Sequence, residues 1–304
     1  MTYENIAVIG LGAVGCAYAY LIRKAGLNLK VIAGGERAGR IARGMRINGE
    51  TVVFDTVAPG ERFDADLLLV ACKFHHLDQV IADMQGCAGR NTVILSLLNG
   101  LGAEEKLRAA YPQNAVLYCR VAGLAVVREG SELNIGNFGQ WKAGAADNRV
   151  LRPEVSALMA FCQRIGLPLI VPEDMLHAVW WKLMCNVGIN QCSAVLRAPY
   201  GVFQKIPEAR NMMLSAMEEV RLVAPSAGVT LTDADVAEWL AMLDSLVEWG
   251  KTSMLQDVEA GRKTEVEVLA GSVIKAGEKI GVPTPVNRFL FDQIRAIEKM
   301  NGVG

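Results

Sequence analysis

Lys182, Asn186 and Asn190 recur at four-residue steps inside the apolar stretch HAVWWKLMCNVGIN, residues 177–190. In a helix that spacing puts all three along one edge. Val179, Leu183 and Val187 flank the edge on one side, Cys185 and Ile189 on the other. A lysine is protonated at neutral pH, so it can stabilise negative charge on an oxygen and then donate a proton to it. An asparagine amide both donates and accepts, which suits a polar ligand. The edge reads either as a thin solvent face or as a polar line aimed at a ligand. Solvent faces are usually broad and rich in charge, and this one is a single residue wide.

A second chemistry-bearing pattern opens the chain. Gly10-Leu11-Gly12-Ala13-Val14-Gly15 is a G-x-G-x-x-G run placed after an apolar, β-branched stretch at 5–9. A helix-like run follows to Lys24, with a break at Gly26 and a second strand at 29–33. This is the βαβ unit of dinucleotide sites: glycines for the tight turn, for close approach of the pyrophosphate and for helix–strand packing. The helix N-terminus then faces the phosphate charge. An NAD site usually carries an acid at the end of the second strand. Here Ala33, Gly34 and Gly35 hold that position, and Glu36 comes late. Arg37, Arg40, Arg43 and Arg46 follow, either to meet a 2′-phosphate or to decorate a solvated helix. The expected cofactor is NADP, with NAD the less favoured alternative.

Further strands are expected at 66–72 and 91–100, ending in Lys73 and in Asn99-Gly100. Ligands of open α/β sheets lie beyond the carboxyl ends of the strands, so Lys73 and Asn99 are candidates beside the nicotinamide. The plain alternatives are an exposed loop lysine and ordinary Asn-Gly turn chemistry. Residues 115–144 read as β-hairpin material. Near 164–175 the pattern turns helical, and Pro172-Glu-Asp reads as a helix start. Breaks are expected at 196–201, 226–233 and 281–287. Ser253 precedes a second predicted helix start, where Thr264-x-x-Glu267 fits a capping box. Glu265 could then be simply an acid in a first helical turn.

The elements needed to hold these groups make an α/β chain. An N-terminal Rossmann-type doubly wound sheet (residues 1–171) is expected to precede a C-terminal all-helical domain (172–304) that carries the candidate substrate-binding and catalytic residues. The 304 residues suit two domains, and 52% hydrophobic with 21% charged residues describes a packed globular protein. Lys plus Arg total 31 against 32 acids, which gives no reason to expect nucleic acid or an anionic membrane. The seven cysteines are scattered with no C-x-x-C, as in a reduced, cytoplasmic protein. Three histidines without ligand spacing argue against a metal site. No apolar run is long enough to span a bilayer.

Three separated pieces, GLGAVG, WWKLMCNVGIN and SMLQDVEAGRKTEVE with its trailing GVPTPVN, resemble the ketopantoate reductases (2-dehydropantoate 2-reductases) over nearly the whole chain. The resemblance implies Lys182 as catalytic lysine and Glu265 as an active-site acid. It implies Asn186, Asn190 and Ser253 as substrate contacts, with Asn99 and Lys73 beside nicotinamide and substrate. A small keto acid is the implied partner, and a homodimer is compatible with it. Family members often carry arginine where Gly34 stands, so the 2′-phosphate falls here to Arg37 or Arg40. The family more often shows an aspartate and an Asn-Gly where this chain reads VEVLAG after Glu265.

Overall fold

The computed structural model describes residues 1–130 and 132–303. The chain divides into two compact units, Met1–Leu98 with Gly102–Met175, and Asn99–Leu101 with Leu176–Gly304.

The first unit carries all the strands: β1 (Asn5–Ile9), β2 (Asn28–Ile32), β3 (Met45–Ile47), β4 (Glu50–Val52), β5 (Thr56–Val57), β6 (Leu67–Val70), β7 (Val93–Ser96), β8 (Val116–Glu129), β9 (Glu132–Gly144) and β10 (Leu169–Ile170). Among the described residues they form one sheet in the order β4-β3-β9-β8-β7-β6-β1-β2-β5, with β10 beside β9. The run from β8 through β7, β6, β1 and β2 to β5 is parallel, and β8 returns as an antiparallel ribbon with β9. Helices α1 (Ala13–Lys24), α2 (Gly35–Ala42), α3 (Leu77–Asp83), α4 (Ala103–Ala110) and α5 (Pro153–Arg164) belong to this unit.

Alternation along the strands explains why helices cover both faces. Ile6, Val8, Leu67, Leu69, Val93 and Leu95 enter one core with α1 and α5. Their neighbours Ala7, Ile9, Leu68, Val70 and Ile94 enter the other with α3 and α4. A strand buried on both faces has no polar positions, which is why these runs lack polar alternation. Each Val, Leu or Ile among them contributes about 1.5–3 kcal/mol by leaving water. The fold is therefore the doubly wound sheet expected.

The second unit is helical among the described residues: α6 (Met175–Leu196, its first residue assigned to unit one), α7 (Tyr200–Lys205), α8 (Pro207–Val223), α9 (Asp233–Ser245), α10 (Ser253–Glu259), α11 (Ala270–Ile280) and α12 (Pro285–Met300). Trp181, Val187, Phe203, Met213, Leu243 and Leu290 join these helices in one core. The breaks expected at 196–201, 226–233 and 281–287 are all present, with Gly228 and Gly281 ending elements at positive φ.

Two local expectations are corrected. Pro172, Glu173 and Asp174 do not open α6, because their backbone is already engaged. Asn148 donates through Nδ2 to the Pro172 carbonyl and through its own N–H to that of Glu173. The helix begins only at Met175. Thr264 and Glu267 likewise form no capping box. Residues 265–269 make turns and α11 begins at Ala270. Thr264 Oγ1 accepts from the Val266 N–H, while Glu267 pairs with Lys263 and Arg295.

Candidate active site

In the first unit the site is built on backbone. Gly10 has φ +95°, and a Cβ there would lie 2.6 Å from the Ala71 carbonyl oxygen. A Cβ on Gly15 would lie 1.9 Å from the Gly10 oxygen. Gly12 differs, since a Cβ added there meets nothing within 4 Å. Gly12 caps α1 without any side-chain hydrogen bond, and the first turn holds no acid. The N–H groups of Ala13, Val14 and Gly15 have no acceptor among the described residues. Such a helix start is complementary to a phosphate. Open space at Gly12 beside unclaimed donors fits a dinucleotide pyrophosphate, with Leu11 buried beneath and Val14 half-buried.

The end of β2 offers no acid. Gly34 precedes α2, and a side chain at that position would start 3.0 Å from Pro59 Cδ. Arg37 and Arg40 are exposed on α2, and Lys73 is half-buried just beyond β6. Cys72, beside Lys73, is half-buried against the glycine turn.

In the second unit the polar line of α6 is not a solvent face. Every residue from Ala178 to Ala194 is buried except Lys182, which is half-buried. Asn186 and Asn190 are 7% and 6% exposed. Buried amides require partners. Asn186 Nδ2 donates to Asn99 Oδ1 at 3.4 Å, and Asn99 Nδ2 donates to Glu265 Oε2 at 3.4 Å. Asn190 has no side-chain hydrogen-bond partner among the described residues. Asn99 is held in place by its neighbour: Gly100 has φ +80°, and a Cβ there would lie 2.6 Å from the Val268 carbonyl oxygen. Asn99, Asn186 and Glu265, which are distant in sequence, thus converge in one helical unit.

Ser253 is exposed as the first residue of α10, where Thr252 caps the helix by accepting from the Leu255 N–H at 3.1 Å. Among the described residues no hydrogen bond joins Ser253 to Asn99, Asn186 or Glu265. Cys192, on the same helix as Asn190, is no nucleophile. Burial pushes its thiol up to about 12, leaving it protonated at neutral pH. Among the described residues no group of three or more His, Cys, Asp or Glu could hold a metal ion. No described helix is long and apolar enough to cross a membrane.

Sequence reading misses the buried polar residues behind this site, Gln191, Ser193, Thr252, Asn287 and Glu298, and takes buried Thr264 for a helix cap. A faint signal existed, since Asn287 and Glu298 share one stripe of α12 with Leu290 and Ile294.

Comparison with known proteins gives the lineage. Residues 6–148 match the family model described as Ketopantoate reductase PanE/ApbA, and residues 174–298 match Ketopantoate reductase PanE/ApbA C terminal. The chain belongs to the ketopantoate reductase family. A 2-dehydropantoate 2-reductase of Pyrobaculum aerophilum is 31% identical over 299 residues, 98% of this chain and all of that protein. The crystal structure of a family ketopantoate reductase from Ralstonia eutropha JMP134 is 26% identical, with TM-score 0.85 over 98% of this chain and 99% of that one. D-mandelate dehydrogenase in its ternary structure with NADH and anilino(oxo)acetate shares the fold, at 23% identity and TM-score 0.87, covering 99% and 100%. The chain is accordingly an oxidoreductase of an NAD(P)H-dependent family.

Proposed function

We propose that this protein reduces 2-dehydropantoate (ketopantoate) to pantoate with NADPH, a step of pantothenate and coenzyme A biosynthesis. One observation carries the reading. Along the buried length of α6 the exception is a lysine, Lys182, and the same edge carries two buried amides, one of them without a hydrogen-bond partner among the described residues. That is an arrangement for a polar ligand, and a solvated edge does not produce it.

The bound dinucleotide would supply a hydride to the keto carbon. Negative charge then grows on the carbonyl oxygen, so a cation there stabilises the transition state more than the ground state. Lys182 takes that role: its Nζ polarises the carbonyl and gives the oxygen a proton. Glu265, tied to Asn99, helps set the position and charge of the site. Asn186, Asn190 and Ser253 hold the carboxylate and hydroxyl of the substrate. On the first unit the N–H groups of residues 13–15 take the pyrophosphate, Arg37 the 2′-phosphate, and Lys73 borders the nicotinamide; Asn99, of the second unit, is read as a nicotinamide and substrate contact.

Lys182→Ala is expected to lower kcat by about 10³-fold, the size of one positioned acid–base group with its charge. NADPH affinity is expected to stay within about twofold. Turnover equal to the parent's would remove Lys182 from the mechanism.

A second reading is a paralogous reductase with the same chemistry on another small 2-keto or β-keto acid, with NADH as an alternative donor. Glu267 and Ala270 stand where the family more often shows an aspartate and the asparagine of Asn-Gly, and the D-mandelate dehydrogenase likeness supports a wider substrate range. Side-by-side kcat/KM values for ketopantoate and an aryl 2-keto acid, each with NADPH and NADH, separate the readings.

A further inference from the structure

Glu298 occupies a position on α12 where the stripe calls for an apolar residue, and it is 1% exposed. Its Oε1 accepts from the Thr264 N–H at 2.7 Å and from Thr264 Oγ1 at 2.6 Å. Its Oε2 accepts from Arg295 Nη1 at 2.6 Å, and Arg295 also reaches Glu267 at 3.2 Å. A carboxylate this deep persists only when its acceptor sites are filled, and here Thr264, the residue that precedes Glu265, fills one oxygen and Arg295 the other. On the other side, the Glu265 carbonyl accepts from the N–H groups of Val268 and Leu269. Segment 262–269 has no helix or strand ladder to hold it. These bonds hold the backbone of the turn that carries the Glu265 side chain.

The same arrangement recurs beside two other site residues. Thr252, next to Ser253, is 1% exposed and donates to Ser193 Oγ of α6 at 3.2 Å. Gln191, next to Asn190, is fully buried and donates to Asn287 Oδ1 of α12 at 2.9 Å. In each case the residue at the site is flanked by a locked neighbour.

We propose that Thr264 and Glu298 are positioning residues for Glu265: the buried Thr264–Glu298 anchor fixes the turn so that the Glu265 carboxyl stays on Asn99. This rests on the reading that Glu265 acts in keto-acid reduction. The anchor touches neither substrate nor cofactor and acts through one side chain, which gives it a signature that general packing lacks.

The test is a mutant cycle on the full-length enzyme, with kcat and KM for ketopantoate and Kd for NADPH measured separately. Thr264→Val, which keeps the shape and removes the hydroxyl, is expected to lower kcat/KM about tenfold with NADPH Kd within about twofold. Thr264→Ser should recover to within about threefold. In the Glu265→Ala background, Thr264→Val should lower kcat/KM no further than about twofold, because its effect runs through the missing carboxyl. Glu298→Gln, close in volume, is read in the same cycle and replaces Thr264→Val if that variant does not fold. Full additivity with Glu265→Ala, or wild-type kcat/KM in Thr264→Val, overturns the proposal. A Glu265→Ala enzyme with parental kcat/KM overturns the underlying reading of Glu265 instead, whatever Thr264 does.

Discussion

Gly12 and Gly15 lie in the same loop-to-helix turn, yet alanine is expected to act in different ways at the two. At Gly15 the new Cβ would lie 1.9 Å from the Gly10 carbonyl oxygen and 2.9 Å from Ala71 Cβ. Neither obstacle is a flexible side-chain tip, so α1 must shift away from the turn. Overpacking of that kind costs about 3 kcal/mol, against about 1 kcal/mol regained from alanine's helix propensity. The net loss of about 2 kcal/mol lowers Tm by about 4–8 °C in a unit of this size. At Gly12 the Cβ meets nothing within 4 Å, and φ −73°, ψ −165° is open to any residue. A weaker cap is offset by the lower entropy of the unfolded chain, so stability should change by less than about 0.5 kcal/mol. The methyl instead fills space a pyrophosphate would use. Losing one charge-assisted hydrogen bond, about 1.5–3 kcal/mol, weakens dinucleotide binding about tenfold or more. Thermal melts followed by circular dichroism, with fluorescence titrations of NADPH and NADH, read both effects. A Gly12→Ala protein that melts like the parent and binds NADPH equally well would refute the phosphate-cradle reasoning.

Other outcomes follow from single sites. Arg37→Ala is expected to raise the Kd for NADPH about tenfold while leaving NADH within about twofold, and equal losses for both would exclude a 2′-phosphate contact. Asp235 is buried, which pushes its carboxyl up, but hydrogen bonds from the Thr232 N–H and hydroxyl and the neighbouring His177 outweigh this and hold it below the usual range. Its folded-state pKa being depressed, its stabilisation is complete above the unfolded value of about 3.9 and is lost as pH falls through the folded value. Asp235→Ala should therefore cost about 1 kcal/mol at pH 7, with the difference from the parent shrinking below about pH 4. A pH-independent difference would show that the charge is irrelevant. Of the seven cysteines only Cys72 is not buried, and burial pushes the Cys162 and Cys192 thiols up to about 12. A thiol reagent at pH 8 should thus label Cys72 first in the folded protein, as peptide mass mapping can check; prior labelling of Cys162 or Cys192 would contradict the packing.

The Rossmann half was legible because its signals are local. A glycine pattern between a strand and a helix, and apolar runs without polar alternation, depend on neighbours within about thirty residues. The helix bearing Lys182, Asn186 and Asn190 was equally legible from its period. Its surroundings were not, because periodicity alone does not tell a thin wet edge from a buried polar line. Burial of Asn186 and Asn190 is a product of tertiary packing, as the Asn186 bond to Asn99 shows, and only the tertiary structure supplies it. Capping at Thr264 failed for the same reason. The local pattern offered Glu267 as a partner, but Glu298 on α12 took Thr264 first, with a buried carboxylate that no nearby residue foretells. The sequence by itself determined which backbone is bare enough to cradle a phosphate and which side chains are candidates for acid–base chemistry. Only the tertiary structure decided that Asn99 joins Asn186 to Glu265, because hydrogen bonds across 87 and 166 residues of chain depend on packing.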